Sequence, residues 1–292
     1  MKLLKISLWT GIFLITTSFI FFSDKPSHQI YNKQGNSVKY EKVVKKLADA
    51  DVIFFGELHN NPISHWLQVE LTKSMYKKND GKLVLGAEMF EADNQVLLDE
   101  YLEGTIRKKD FEREARLWPN YDTDYQPLVE MARDSGLYFV ASNIPRRYAA
   151  LVHKKGFTAL DSLSETAKQW IAPLPVEYDS TLSGYKKMMS MMKGMGAHAN
   201  PNLPKAQAIK DATMAHFIAE NMKPGHQFIH YNGAYHSNNF EGIMWYLQRK
   251  NPDLNIMTIS TVQQENVEDL KEESAGLANY IIVVDEDMTK TH

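Results

Sequence analysis

Six short apolar runs recur along the chain, and their character leaves few folds open. They are Val52–Phe55, Lys82–Ala87, Leu137–Ala141, Gln227–Tyr231, Asn255–Ser260 and Tyr280–Val284. Each is dominated by strand-forming residues, and Val52–Phe55 above all is continuously apolar rather than alternating. That is the pattern of strands buried on both faces. Helical spacings lie between them, such as Leu67, Leu71 and Met75, or Ile243, Met244 and Leu247. Buried-type strands alternating with helices predict an α/β fold, a parallel sheet flanked by helices. Tyr280–Val284, the last run, is expected at an edge of the sheet.

The end of the first run is informative. Gly56 breaks it, Glu57 and His59 occupy the turn, and Asn61-Pro62 supplies an N-cap and a first-turn proline for a helix through Lys78. Other runs release polar residues at the same end: Glu88 after the second, Asn143 and Arg146 after the third, Asn232 and His236 after the fourth. In a parallel sheet these ends line one crevice, where open α/β sheets bind ligands. Any one of them alone would be an ordinary turn or cap residue. Their coincidence at four strand ends points to a site. Gly56-Glu-Leu-His59 and Gly233-Ala-Tyr-His236 share a Gly-x-x-His pattern, which makes the two turns equivalent.

The chemistry of the set leaves two options open. Glu57, His59, Glu88 and His236 are donors of the kind that hold a divalent metal. They suit metal-free hydrolysis equally well, with a histidine as base and a glutamate orienting it. Arg146, from the neighbouring strand end, is expected to hold an anionic group of the ligand.

The strand–helix alternation stops between residues 145 and 224, where only helical patterns broken by prolines occur. This stretch reads as a small helical subdomain inserted into an α/β domain made of residues 38–144 and 225–292. It carries a methionine-rich run, Met188, Met189, Met191, Met192 and Met195, whose side chains adapt to irregular apolar partners. Residues 1–23 combine a basic start with an almost wholly apolar run. They read as a signal peptide or a retained N-terminal membrane anchor, so the body is expected outside the cytoplasm, in the periplasm or cell envelope. Residues 24–37 read as a linker. A net charge of −3 without a basic stripe argues against nucleic acid as a partner. The chain has no cysteine, which excludes disulfides, thiolate metal sites and a lipidated cysteine anchor.

Several blocks in order carry a family resemblance. They are Phe55-Gly-Glu-Leu-His-Asn-Asn61 with His65, Glu88-Met-Phe-Glu91, Asn120-Tyr121 with Asp124-Tyr-Gln-Pro-Leu128, Asn143-Ile-Pro-Arg146, Asp211-Ala-Thr-Met-Ala215 and His230-Tyr-Asn-Gly-Ala-Tyr-His-Ser237. Together they resemble the ChaN-like haem-binding uptake family, over about residues 39–261. That family is similar to the wider Tiki, TraB and erythromycin-esterase superfamily, in which paired Gly-x-x-His motifs and acidic residues build a hydrolytic, sometimes metal-dependent, site. The resemblance implies haem as ligand, a role in haem or iron uptake, and a homodimer enclosing stacked haems with tyrosine on the iron. Haem-binding members are lipoproteins, and the absence of cysteine departs from that pattern. Within the helical stretch, Tyr178, Tyr185 and His198 are chemically able to ligate haem iron. Two functions remain: an exported haem-binding protein, or an extracytoplasmic hydrolase using the two Gly-x-x-His turns.

Overall fold

Side chains alternate between the two faces of a strand, so a continuously apolar strand needs a packed layer on each side. In β2 (Val52–Glu57) Ile53 and Phe55 enter one apolar core, while Val52 and Phe54 enter the other. The computed structural model describes residues 25–193 and 200–292. In chain order its elements open with β1 (His28–Asn32), α1 (Tyr40–Leu47) and β2, then α2 (Pro62–Lys78) and β3 (Leu83–Glu91). Next come α3 (Gln95–Leu102), α4 (Lys108–Glu114), α5 (Gln126–Ser135) and β4 (Tyr138–Asn143). Four helices continue the chain: α6 (Arg146–Lys155), α7 (Glu165–Lys168), α8 (Ser183–Lys193) and α9 (Leu203–Asn221). The chain then forms β5 (Gln227–Gly233), α10 (Ile243–Lys250), β6 (Ile256–Gln264) and β7 (Tyr280–Asp285).

The strands form one seven-stranded sheet in the order β1-β7-β6-β2-β5-β3-β4. Every pairing is parallel except β1 with β7. On one face α1, α2, α3 and α5 bury Leu47, Leu71, Leu98 and Val129 against the sheet. On the other, α6, α9 and α10 bury Val152, Ile209 and Leu247. Full burial of each such side chain contributes about 1.5–3 kcal/mol.

Topology places the site. β5 lies between β2 and β3. The helices after β2 and β3 cover the first face, whereas α10, after β5, covers the second. Connections leaving adjacent strands toward opposite faces open a crevice at their carboxyl ends. Both flanks of β5 are such switch points.

Two expectations are corrected. The segment expected to be a linker contains β1, which pairs antiparallel with β7 in register His28↔Val284. It buries Ile30 and Tyr31, and the Tyr31 hydroxyl donates to the Val267 carbonyl at 2.7 Å. Two apolar residues between polar neighbours are too short a signal for a strand; the partner supplies the rest. β7 is therefore an inner strand, buried along its whole length, and β1 is the edge. Residues 145–224 contain no strand among those described. Two of their helices, α6 and α9, pack on the sheet itself as part of its second layer. The expected leader or anchor, residues 1–23, lies outside the described residues. Among the described residues no helix is long and apolar enough to cross a membrane.

Candidate functional site

The two Gly-x-x-His turns pack directly against each other, which is why each needs its glycine. A Cβ on Gly56 would lie 2.9 Å from both Ala234 Cα and the Ile259 carbonyl oxygen. A Cβ on Gly233 would lie 2.6 Å from His59 Cε1 and 2.8 Å from His59 Nε2. The His59 ring thus rests on the backbone of the second turn.

Glu57 ends β2 with its carboxylate buried. Oε1 accepts from the Tyr125 hydroxyl at 2.8 Å and faces His59 Nδ1 at 2.8 Å. Oε2 accepts from Gln68 Nε2 at 2.6 Å, with His65 Nδ1 at 3.3 Å. A carboxylate on Nδ1 holds the proton there, so a neutral His59 presents the Nε2 lone pair to the crevice. Its side chain is 47% exposed. Burial disfavours the charged ring, but the hydrogen bond to Glu57 and the charges of Glu88 and Glu57 outweigh it and raise the pKa above the ordinary imidazole value. The backbone beneath is held as well. The His59 carbonyl accepts from His65 Nε2 at 3.1 Å and Asn120 Nδ2 at 2.6 Å, and Asn120 also donates to Asp124 at 2.5 Å. Trp118 stands edge-on to the His59 ring, with centroids 4.9 Å apart.

The second histidine is held quite differently. His236 Nε2 lies 3.1 Å from Glu88 Oε1, and Nδ1 lies 2.5 Å from Asp211 Oδ1. Glu88 Oε2 accepts from the Gly233 N–H at 2.8 Å, and Asp211 Oδ2 from the Tyr185 hydroxyl at 2.7 Å. Both ring nitrogens therefore donate to carboxylates, which describes an imidazolium. Burial opposes that charge, yet Glu88 and then Asp211 overcome it and push the pKa up to about 9. Glu88 would be raised by burial, but His236, His59 and Lys210 hold it well below the usual carboxylate range. Asp211 is raised, because its burial outweighs the help of His236. His236 is a fixed cation in the floor, and His59 is the exposed ring that can exchange a proton with a ligand.

Above this floor opens a crevice of about 810 Å³. Its walls include Trp118, Met188, Gln207, Lys210, Tyr235 and Gln263. Glu57, His59, Glu88 and His236 all line it, so the strand-end reasoning brought four predicted residues together. Arg146 is not among them. Pro145 turns the chain onto the second face of the sheet, and Arg146 lies exposed in the first turn of α6. The cation in the crevice is Lys210, from α9. The metal option that the sequence left open is not met by this arrangement either. Among the described residues no three His, Asp or Glu side chains are arranged to hold an ion. The physical reason is that their donors are spent on one another. Both nitrogens of His236 face carboxylates, the oxygens of Glu57 and Glu88 already accept hydrogen bonds, and of the two histidines only His59 Nε2 faces no carboxylate.

Residues 43–247 match the family described as haem-binding uptake, Tiki superfamily, ChaN. The chain belongs to this family. Its fold is similar to that of ChaN of Campylobacter jejuni, described with cofacial haem binding, at a TM-score of 0.67 and 17% identity. That likeness covers 88% of this chain and 96% of the other. A Bacillus cereus protein of known structure is similar at a TM-score of 0.51 and 10% identity, over 89% of this chain and 95% of its own. In sequence, the Arabidopsis thaliana chloroplastic protein RETICULATA-RELATED 5 is 24% identical over 197 residues, 63% of this chain. The match takes in 26% of that relative, so this chain spans about a quarter of it.

For a ChaN-family chain the iron ligand is the pressing question, and the three expected candidates fare poorly. Tyr185 is 3% exposed and donates to Asp211, deep behind the floor. Tyr178 is half-buried, packed between Tyr185 and Phe157 at centroid distances of 5.5 and 5.7 Å. His198 lies outside the described residues. Sequence reasoning missed Asp211, Tyr125, Gln68 and Lys210 as parts of the site. Asp211, with His65, Asn120 and Asp124, stood inside the blocks that carried the resemblance, which was the available signal.

Proposed function

We propose that this chain binds haem at the open crevice, as an exported protein of haem or iron uptake. Membership of the haem-binding uptake family carries the reading. The crevice is within the size range of small-molecule sites. Tyr235, in its wall, is 38% exposed and is the most open tyrosine among the described residues. Tyrosine oxygen is an established ligand of haem iron, and Tyr235 is the proposed ligand here in place of Tyr178 or Tyr185. Its hydroxyl donates to the Gly184 carbonyl, and burial, with the charges of Asp211 and Glu241, pushes its pKa up to about 12. Iron must therefore displace that proton. Met188 offers a polarizable apolar contact beside it. In this reading residues 1–23 direct export and a second copy closes over the haem. Hemin titration of the wild type should give a saturable Soret change with a phenolate-to-iron band. Tyr235→Phe should lose that band and roughly tenfold in affinity, about 1.4 kcal/mol, with stability lowered by no more than the one hydrogen bond to Gly184, about 0.5–1.5 kcal/mol. Equal binding by the variant would remove Tyr235 as ligand, and no saturable binding by either would remove the haem reading.

A second reading, a metal-free hydrolase, is favoured by one observation. His59 Nδ1 is held by Glu57 while its other nitrogen faces the crevice. That is the geometry of an oriented general base. Hydrolysis of p-nitrophenyl esters should rise with pH through the His59 titration, whose midpoint lies above the ordinary imidazole value. His59→Ala and Glu57→Gln should each lower the rate by about 100-fold or more. Rates unchanged in both variants would rule the reading out.

A further inference from the structure

We propose that Lys210 selects ligands that carry a carboxylate on a flat apolar body, by placing in the crevice wall one positive charge that has no salt-bridge partner among the described residues. The proposal rests on the crevice being the ligand site and names the part of the ligand it reads. Three buried carboxylates surround the floor, and each is already engaged. Glu57 accepts from Tyr125 and Gln68 and faces His59. Glu88 accepts from the Gly233 N–H and from His236. Asp211 accepts from Tyr185 and His236. Lys210 differs from all of these. It lines the crevice, yet among the described residues no carboxylate lies within 4.0 Å of its ammonium.

Its position is well fixed all the same. Lys210 precedes Asp211 on α9, and Asp211 is tied to both His236 and Tyr185. Gln207, one turn earlier on the same helix, also lines the crevice, with its side-chain nitrogen 2.9 Å from His236 Nε2. A cation on a concave wall with low-dielectric surroundings concentrates anions. His59 Nε2 is a second donor in the same space whenever the ring is protonated. Trp118 and Tyr235 supply aromatic surface in the same crevice. A planar body with an anionic edge matches this combination, and the propionates of haem are one instance of such an edge. The anion role assigned from the sequence to Arg146 thus passes to a lysine on another helix.

The test compares ligands that differ only in charge, using the whole chain. Hemin and its dimethyl ester share one ring, but the ester has no carboxylate. Wild type should bind hemin about tenfold more tightly than the ester, the scale of one hydrogen bond to a charged group. Raising the salt should narrow the gap. Lys210→Met keeps an apolar stem of similar length and should erase the preference, while Lys210→Arg should retain it. The same preference in wild type and Lys210→Met would overturn the proposal. If neither porphyrin binds, the haem reading has failed, and the two remaining probes are 2-naphthoate and the neutral 2-naphthamide, followed by tryptophan emission. A naphthoate preference that Lys210→Met abolishes supports the proposal. No preference in the wild type overturns it.

Discussion

Replacing Asp211 by alanine is expected to lower the unfolding free energy by about 3–5 kcal/mol, the usual consequence of removing one partner of a buried charge pair. The variant leaves His236 facing Glu88 alone and the buried Tyr185 hydroxyl without its acceptor. Asp211→Asn should cost less, because the amide oxygen can still accept a hydrogen bond. Urea unfolding measures both, and a loss below about 1 kcal/mol in the alanine variant, within the range of exposed pairs, would mean that the clamp is not formed. The pH dependence has a definite sign. The His236 pKa rises on folding, to about 9. Its stabilisation is therefore complete below the unfolded value of about 6.5 and lost as pH rises through 9. Glu88 is depressed on folding, so its contribution is present above its ordinary value of 4.5 and lost as pH falls. Asp211, raised on folding, acts against Glu88 on the acid side. Stability should decline between about pH 6.5 and 9.5 in the wild type and decline less in Asp211→Ala. Equal slopes would assign the alkaline loss to other groups.

Gly242→Ala should be the second severe change. Gly242 has φ +58° and ψ −123°, and a Cβ there would lie 2.2 Å from the His236 carbonyl oxygen. Two non-glycine residues just before it, Asn239 and Phe240, also have positive φ, at 60° and 61°. The segment leaving the second turn is thus already strained, and its glycine is where further bulk cannot be accepted. Backbone strain and overpacking together predict a loss of about 2–4 kcal/mol. The His236 imidazole signal should also shift, because the clash falls on its own carbonyl. A variant with wild-type stability and an unshifted signal would contradict the described turn.

How much of this was legible in the sequence depended on whether the signal was local. Six strands were readable because each carries its own apolar run. β1 was not, since Ile30 and Tyr31 become a strand only through β7. Glu57, His59, Glu88 and His236 were readable because a parallel sheet brings strand ends together wherever helices intervene. Arg146 was read by the same rule and misplaced, because Pro145 and the first turn of α6 carry it out of the crevice. Asp211 and Lys210 sit in the middle of a long helix, where neither the apolar period nor a turn motif marks them. Only the packing of α9 across the sheet brings them to β5. The competition for donors that defeats the metal centre is likewise invisible in one dimension.

The mutual contact of Gly56 and Gly233 has a consequence for how such a crevice can diversify. Each turn is pressed against the other at distances that leave no room for a methyl group. The spacing of the two imidazoles is therefore a rigid quantity, which neither turn can alter without displacing its neighbour. The surrounding wall is bound to that floor only in part. Trp118, Met188, Gln207, Lys210 and Gln263 come from a loop, two helices and a strand. Ligand preference can drift through Met188 and Gln263, whereas Trp118 lies against the His59 ring, Gln207 reaches His236 and Lys210 helps hold Glu88 ionised. A library aimed at new ligands should leave the floor untouched and vary Met188 and Gln263 first.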